Sequence, residues 1–512
     1  MFIRTNNQIW KLGGKYFRPP PYPWTPLYLT NLILWYDPAD EDTIIESGGV
    51  ISQILDKSGN GYHGTPLSVG REPSTGSASL AGKNLLSVDQ DALIASIPAG
   101  TFPTSMQTTI LFYRTGVSDL GDQQLFARTS GGSPRPTEYY GRFPRWGGDL
   151  GNALHFSDYV RDMTTPRIVA FAASALGGYV WKNGDERNEG GTTDRYTDSA
   201  DDFVIGANDT GARALRGNLG DIVVTPQLCP LNNAKLEGYI AHKYGLTANL
   251  DDQHLFKTEA PTTQTCPGAV DLVLTIGQSN MSGSAPATGS PTTDPYCMQH
   301  LDGTRVLKAD NPTTGGSTDG GPRPAFANKW YELTGRGVMY IEQGKGATAL
   351  LAAANAGSGY WAVGGTLYSP ARDAMNDAIA QLAVSGVTVA NKIVIFCQGE
   401  RDSQAINGTT VTGALYQAEL ENLIDTFDAQ ITGGIDAFLI SELGAESSFS
   451  GEADWAEIRA AQNAAASSRA LATMAFTGAK DFPNEGKMYD SLHYNQTGYN
   501  EMGEGIAIGG QF

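Results

Sequence analysis

The sequence predicts two domains of different class: an all-β sandwich, then a three-layer α/β/α domain on a parallel sheet. Three observations lead there. With 512 residues the chain is too long for a single core. Up to Leu246 it reads as short strands separated by Gly, Asn, Asp, Ser and Pro turns, with little helical periodicity. After a linker the pattern changes to apolar runs alternating with helical segments, which is how a parallel sheet covered on both faces is written.

Residues 1–28 form an arm in which Pro19-Pro20-Pro21-Tyr22-Pro23 enforces extended backbone. Such a segment cannot build a core, so it docks onto something else or trails as a tail. Residues 29–246 form the sandwich, with strands expected at 108–113, 167–172 and 178–181 and a hairpin turn at Lys182-Asn183-Gly184-Asp185. One helix interrupts them: Leu236, Tyr239, Ile240 and Tyr244 recur at helical spacing, and Gly245 stops the run. Residues 247–268, with Thr262-Thr263-Gln264-Thr265, read as a linker. In residues 269–512, strands are expected at 271–276, 337–342, 391–397, 436–441 and 472–477, and helices at about 370–385, 412–429 and 452–469.

Composition narrows the function. A hydrophobic content of 40% is ordinary for a globular protein, and a formal charge of −19 with pI near 4.7 argues against a nucleic-acid partner. No run is long and apolar enough to insert in a membrane, and Met1–Gln8 lacks the apolar stretch of an export signal. The four cysteines show no metal spacing; Cys397 reads as a core residue, and a Cys229–Cys266 bridge is conceivable without support. Asp37, Asp40 and Asp56 are a weak candidate calcium set, acidic turns being common. No cofactor is expected.

The chemistry sits at strand ends. The run Val270–Ile276 leads into Gly277-Gln278-Ser279-Asn280, placing a serine at the carboxyl end of a buried parallel strand, where open α/β sheets bind ligands. Met281 rules out the G-x-S-x-G elbow. Asp490-Ser491-Leu492-His493 puts a carboxylate three residues before an imidazole, so the Asp can orient the ring and stabilise the imidazolium formed when His493 takes the serine proton. Gly344-Lys345-Gly346-Ala347-Thr348 and Gln398-Gly399-Glu400-Arg401-Asp402 follow two further strands and offer backbone and side-chain donors for an oxyanion.

Five blocks in order resemble the SGNH (GDSL-like) hydrolases of the sialate O-acetylesterase type, carbohydrate esterase family six: Gly-Gln-Ser-Asn-Met at 277–281, Gly-Ala-Thr at 346–348, Gln-Gly-Glu-x-Asp at 398–402, Ile-Arg-x-Ala-Gln at 458–462 and Asp-x-x-His at 490–493. The resemblance implies Ser279 as nucleophile, His493 as base and Asp490 as its orienting acid. It implies an oxyanion hole made by the Ser279 amide, the Gly346 amide and the Gln398 side chain. The family usually has Gly-Gly-Thr-Ser where this chain has Gly346-Ala347-Thr348-Ala349. Four further residues are candidates for supporting or substrate-contacting roles. Glu400 either assists His493 or substrate, or pairs with Arg401. Arg459 and Gln462 share a helix face and either brace the Gln398 loop or lie at the surface. Trp361 either stacks on a sugar or is buried.

The N-terminal domain resembles the concanavalin-like (LamG-type) sandwiches at Leu34-Trp35-Tyr36-Asp37-Pro38, Leu55–Gly61 and Leu236–Leu246, a likeness that identifies a fold but no ligand. The expected activity is serine carbohydrate O-acetylesterase. Arm, sandwich and esterase together resemble a bacteriophage tail spike or fibre. That implies a virion protein, homotrimeric, joined to the tail through its arm and acting at the bacterial cell surface on acetylated capsule or O-antigen. The alternatives are an extracellular bacterial carbohydrate esterase with a sugar-binding module, and an inactive glycan-binding adhesin.

Overall fold

The computed structural model describes residues 10–12, 15–17, 23–29, 32–98, 101, 106–113, 123–129, 139–143, 154–155, 165–174, 177–183, 185–188, 201–207 and 214–226 of the N-terminal half. Beyond these it describes 230–252, 254–262, 269–293, 297–301, 305–308, 320–384, 387–448 and 451–511. Cys229, Cys266 and Pro19–Tyr22 lie outside the described residues.

Among the described residues, two large sheets dominate the N-terminal half, beside three two-stranded ones at 10–12/15–17, 44–47/50–54 and 79–80/83–84. The first runs 154–155, 139–143, 123–129, 201–205, 93–97, 65–66; the second runs 185–188, 177–182, 167–174, 106–113, 216–225, 34–36, with 86–89 also pairing 216–225. All pairs are antiparallel except that between 139–143 and 154–155. Leu93, Ala95, Ile97, Phe203 and Ile205 of the first sheet share one buried cluster with Leu34, Tyr36, Ile110, Val169, Ile222 and Val224 of the second. Residues between these, Trp35, Leu111, Ile168 and Val223, point to the opposite face, as the two-residue period requires.

Helix α1 (Pro230–Lys243) covers that outer face with Leu236, Ile240 and Ala241. Gly245, at φ +68°, ends the element where the sequence places the stop. The same helix reaches the second domain, for Leu231 and Ala234 lie in a cluster with Val270, Leu272 and Met339. Residues 247–256 depart from the linker expectation: Leu250, His254, Leu255 and Phe256 are buried, and the last two join this cluster. The end of the arm docks too, since Trp24 is buried against Trp35, Val223 and Leu236, and its amide donates to the Pro261 carbonyl at 3.0 Å.

A buried polar cluster joins α1 to the sandwich. Lys243 Nζ lies 2.5 Å from Asp37 Oδ1 and 2.6 Å from Asp221 Oδ1, while Lys57 pairs with Asp37 and Asp40. Asp56 accepts from the amides of Trp35, Ser58 and Tyr62. The candidate calcium carboxylates are thus neutralised by lysines or taken up by backbone amides. Among the described residues no group of three or more His, Cys, Asp or Glu is placed to hold a metal, and no helix is long and apolar enough to cross a membrane.

The second domain is a seven-stranded sheet. Its strands are β1 (Ala269–Gly277), β2 (Cys297–Leu301), β3 (Arg305–Lys308), β4 (Gly337–Glu342), β5 (Thr388–Cys397), β6 (Ala437–Ser441) and β7 (Ala472–Phe476). They run in the order β3-β2-β4-β1-β5-β6-β7, all parallel except β3. The five expected strands are its centre and one flank; β2 and β3 extend the other edge and were not anticipated. Alternation along the strands makes the layers. Leu272, Leu274, Met339, Val394, Phe396 and Phe438 face α4 (Tyr368–Val384), α6 (Gly413–Gln430) and α7 (Glu452–Ser468). Val273, Val338, Tyr340, Ile393, Ile395 and Leu439 face α3 (Arg323–Thr334) and α8 (Gln496–Gly509).

The lysine cluster yields a test. Lys243→Met keeps the packed stem but leaves Asp221, which is fully buried, without its cation. Urea unfolding is expected to show a loss of about 3–5 kcal/mol, and a loss below about 1 kcal/mol would show the pair to be dispensable.

Candidate active site

Strand β1 lies at the middle of the sheet, between β4 and β5, and the three carboxyl ends supply the site. At the end of β1 the chain must leave the sheet while still touching β5. Gly277 makes this turn at φ +135°, and a Cβ there would lie 1.9 Å from the Cys397 carbonyl oxygen. Only glycine fits. Gln278 then donates its amide to Cys397 O at 3.0 Å, and the short helix α2 (Ser279–Ser282) begins with Ser279.

His493 meets it from the far end of the domain. His493 Nε2 lies 2.9 Å from Ser279 Oγ, and His493 Nδ1 lies 2.8 Å from Asp490 Oδ2. The other carboxylate oxygen, Asp490 Oδ1, accepts the amides of Leu492 and His493, each at 2.7 Å, which coils residues 490–493 into a tight turn. Partial burial works against the Asp490 charge, but the hydrogen bonds from the His493 ring and these two amides prevail and hold the carboxyl below its usual range.

The loop after β4 continues along the end of β1: the Gln343 amide donates to Thr275 O and the Lys345 amide to Gly277 O, each at 3.0 Å. This carries Gly346 to the nucleophile, where a Cβ on it would stand 3.7 Å from Ser279 Cβ. Among the described residues no protein acceptor takes the amide of Ser279 or Gly346. Ala347 sits in the left-handed region at φ +60°. A glycine would carry this conformation without strain; here an alanine bears a cost of about 1–2 kcal/mol to hold the turn.

The structure differs from expectation at Gln398 and decides between the alternatives at Trp361 and Glu400. Gln398 does not hold a free amide toward the acyl site: its Nε2 donates to Asp402 Oδ2 at 2.5 Å and to the Thr348 carbonyl at 3.4 Å, while its Oε1 accepts from Tyr416 OH at 2.9 Å. Its carboxamide fastens the β5 loop to the Gly346 loop instead. Trp361 is 1% exposed and donates its indole N–H to Thr348 Oγ1 at 3.0 Å, so it supports that loop from beneath and presents no face to a sugar. Glu400 forms no pair with Arg401, whose Nε donates to the Ala354 carbonyl.

Arg459 and Gln462 are both buried. Gln462 braces the Gln398 loop, donating to the Gln398 carbonyl at 2.7 Å and accepting the Leu443 amide at 2.8 Å. Arg459 holds the loop after β6, donating to Gly444 O at 2.7 Å and pairing with Glu452. Glu400 begins the short helix α5 (Glu400–Gln404) and accepts from Asn280 Nδ2 at 2.9 Å. Asn280 stood inside the motif, but its role was not anticipated because its partners lie up to 219 residues away.

Residues 269–508 match the family model of carbohydrate esterases described as sialic acid-specific acetylesterases, a little under half of the chain. No curated protein matches the sequence. Among solved structures, NanS is 13% identical over 47% of this chain and 96% of its own, with a TM-score of 0.35. A carbohydrate acetylesterase from Xanthomonas citri is 14% identical over 82% of this chain and 70% of its own, at 0.33. Domain 4 of AbnA, an extracellular arabinanase from Geobacillus stearothermophilus, is 12% identical over 38% of this chain and 92% of its own, at 0.29. Scores of this size leave the site to be judged on its own geometry. The family match makes the C-terminal domain an esterase domain of the carbohydrate acetylesterase type.

Burial of Glu400 has a measurable consequence. It raises the carboxyl from 4.5 to about 7, despite the Asn280 hydrogen bond and the nearby His493. A raised acid stabilises the fold below its unfolded value and loses that contribution as pH climbs through about 7. Glu400→Gln does not titrate, whereas Asp402, raised to about 6 by burial, titrates in both proteins. Melting curves at pH 5 and pH 8 are therefore expected to favour the variant over wild type at the higher pH, by on the order of 2–3 kcal/mol. A difference independent of pH would refute the assignment.

Proposed function

We propose that the protein is a serine O-acetylesterase acting on an acetylated bacterial surface polysaccharide, with Ser279 as nucleophile, His493 as base and Asp490 as the acid that orients it. One observation carries this: the unbroken hydrogen-bonded line from Ser279 Oγ through His493 to Asp490 Oδ2, at 2.9 and 2.8 Å. With Nδ1–H donated to Asp490, Nε2 is the acceptor that takes the serine proton. Ser279 attacks the acetyl carbonyl, and the negative charge that develops on its oxygen meets the Ser279 and Gly346 amides. As the bond to the sugar oxygen breaks, His493 gives the proton to that oxygen, and the sugar leaves as a free hydroxyl. Water, deprotonated by the same nitrogen, then releases acetate and restores the serine.

Gln398 supports this pocket by holding the Gly346 loop in place rather than by touching the oxyanion. Turnover of a chromogenic acetate ester is expected to fall by about 10⁴-fold or more in Ser279→Ala. Acetate release across a panel of acetylated bacterial polysaccharides would identify the natural ester. Undiminished turnover in the variant would remove the mechanism.

The polysaccharide reading extends to a virion protein of the tail spike or fibre kind, homotrimeric and attached through its arm. The succession of arm, sandwich and esterase supports it, and the acidic surface suits a protein that meets neutral or acetyl-capped glycans without binding nucleic acid. Removing residues 1–22, which spares the buried Trp24, is expected to leave esterase activity intact and to abolish incorporation into particles. Normal incorporation would overturn the role of the arm.

A further inference from the structure

Asn280, the residue after the nucleophile, is fully buried, and its carboxamide makes four hydrogen bonds. Its Nδ2 donates to Glu400 Oε1 at 2.9 Å and to the Leu492 carbonyl at 3.2 Å. Its Oδ1 accepts the Tyr494 amide at 3.3 Å and the Tyr499 hydroxyl at 3.1 Å. Leu492 and Tyr494 are the two neighbours of His493. A residue one peptide bond from Ser279 therefore grips the backbone on both sides of the imidazole that Ser279 must meet.

Only a carboxamide can do this, because one grip needs a donor and the other an acceptor. Turning the group over would set its NH₂ against the Tyr494 amide and its oxygen against the Leu492 carbonyl and the Glu400 carboxyl. Glu400 helps fix the orientation. It is 2% exposed, its Oε1 takes Asn280, and its Oε2 has no hydrogen-bond partner among the described residues. A carboxyl buried so incompletely satisfied is costly, and Asn280 is the side chain it holds.

We propose that Asn280 is a positioning residue that sets the distance between Ser279 and His493, and that Glu400 acts through it by aiming the carboxamide. The proposal rests on the serine-esterase reading. Neither residue meets substrate; both tune the approach of two groups whose misplacement by about 1 Å costs on the order of 100-fold in rate.

The test compares wild type with Asn280→Ala, Glu400→Ala, Glu400→Gln and the double alanine variant, all in the full chain. On a chromogenic acetate ester, Asn280→Ala is expected to lower kcat about 100-fold while KM changes by less than about threefold. Glu400→Ala is expected to lose about 10-fold, and Glu400→Gln to recover most of that loss because its amide oxygen still accepts from Asn280. Adding Glu400→Ala to Asn280→Ala should cost nothing more, since its route is already cut. Losses that multiply in the double variant, a rise confined to KM, or an unchanged kcat in Asn280→Ala would each overturn the proposal.

If Asn280→Ala does not fold, Asn280→Asp serves in its place: it keeps the size and the acceptor for Tyr494 and Tyr499 but loses the Nδ2 donors. The labelling rate of Ser279 by a fluorophosphonate, read by mass spectrometry, reports Ser–His alignment whatever the natural ester is. Wild type that labels but releases no acetate would sink the substrate reading alone, with the variants' labelling rates still deciding the clasp. Wild type that does not label would sink both.

Discussion

Much of the esterase domain depends on one backbone contact, that of Gly277 with the Cys397 carbonyl. In a parallel sheet the chain normally leaves a strand by diverging from its neighbours. Here β1 stays paired to β5 through its last residue, Gly277 opposite Cys397, and still turns into a helix. The missing side chain permits the turn and leaves no room for any replacement. Because β1 is flanked on both sides, the serine emerges between two other strand ends, and their loops can reach it. A serine on an edge strand would have one such neighbour.

The loops that reach it are fastened by buried polar side chains as well as by the apolar packing of Leu350, Trp361 and Leu443. Gln398 joins Asp402, Thr348 and Tyr416; Gln462 joins Gln398 and Leu443; Asp402 also takes the amides of Leu350 and Leu351 at 2.8 and 2.9 Å. Hydrogen bonds of this kind contribute little net stability, yet each is costly to leave half-made, so the network admits few alternative arrangements. On the opposite side of the sheet Arg323 and Glu342 form a buried ion pair at 2.5 Å, and Glu342 accepts from Thr275 and Gly344. The floor of the site is thus specified by directional bonds, which suits a reaction that needs atoms held to within a fraction of an ångström.

What could be read from the sequence follows from which interactions are local. The layer structure was legible because a strand buried on both faces is a continuous apolar run, and Val270–Ile276 is one. The Asp490–His493 relation was legible because three residues of turn bring the two side chains together. Gln398 was not. The sequence shows that an amide can donate, but not which acceptor takes it, and Gln398 lies in the turn before the helix that carries Asp402, where no fixed spacing points to the pair. Trp361 is ambiguous by nature, since the same ring serves a core or a sugar and only its surroundings decide. Strands β2 and β3 are not legible in the sequence because Cys297–Leu301 and Arg305–Lys308 are short, mixed in polarity and at the sheet edge, where the hydrophobic signal is weakest.

The junction between the halves shows how composition can mislead. Residues 247–268 have the threonines and prolines of a tether, and a tether would let the two domains sample many orientations. Leu250, Leu255 and Phe256 say otherwise, because three large apolar side chains in a short stretch are exposed only at a cost of about 1.5–3 kcal/mol each. They are buried, and α1 is packed from both directions: Leu236 and Ile240 against the sandwich, Leu231 and Ala234 against the esterase core. A helix shared by two cores cannot rotate on one without uncovering the other. The surface that the sandwich presents therefore stands at a set displacement from Ser279 rather than at the end of a flexible link.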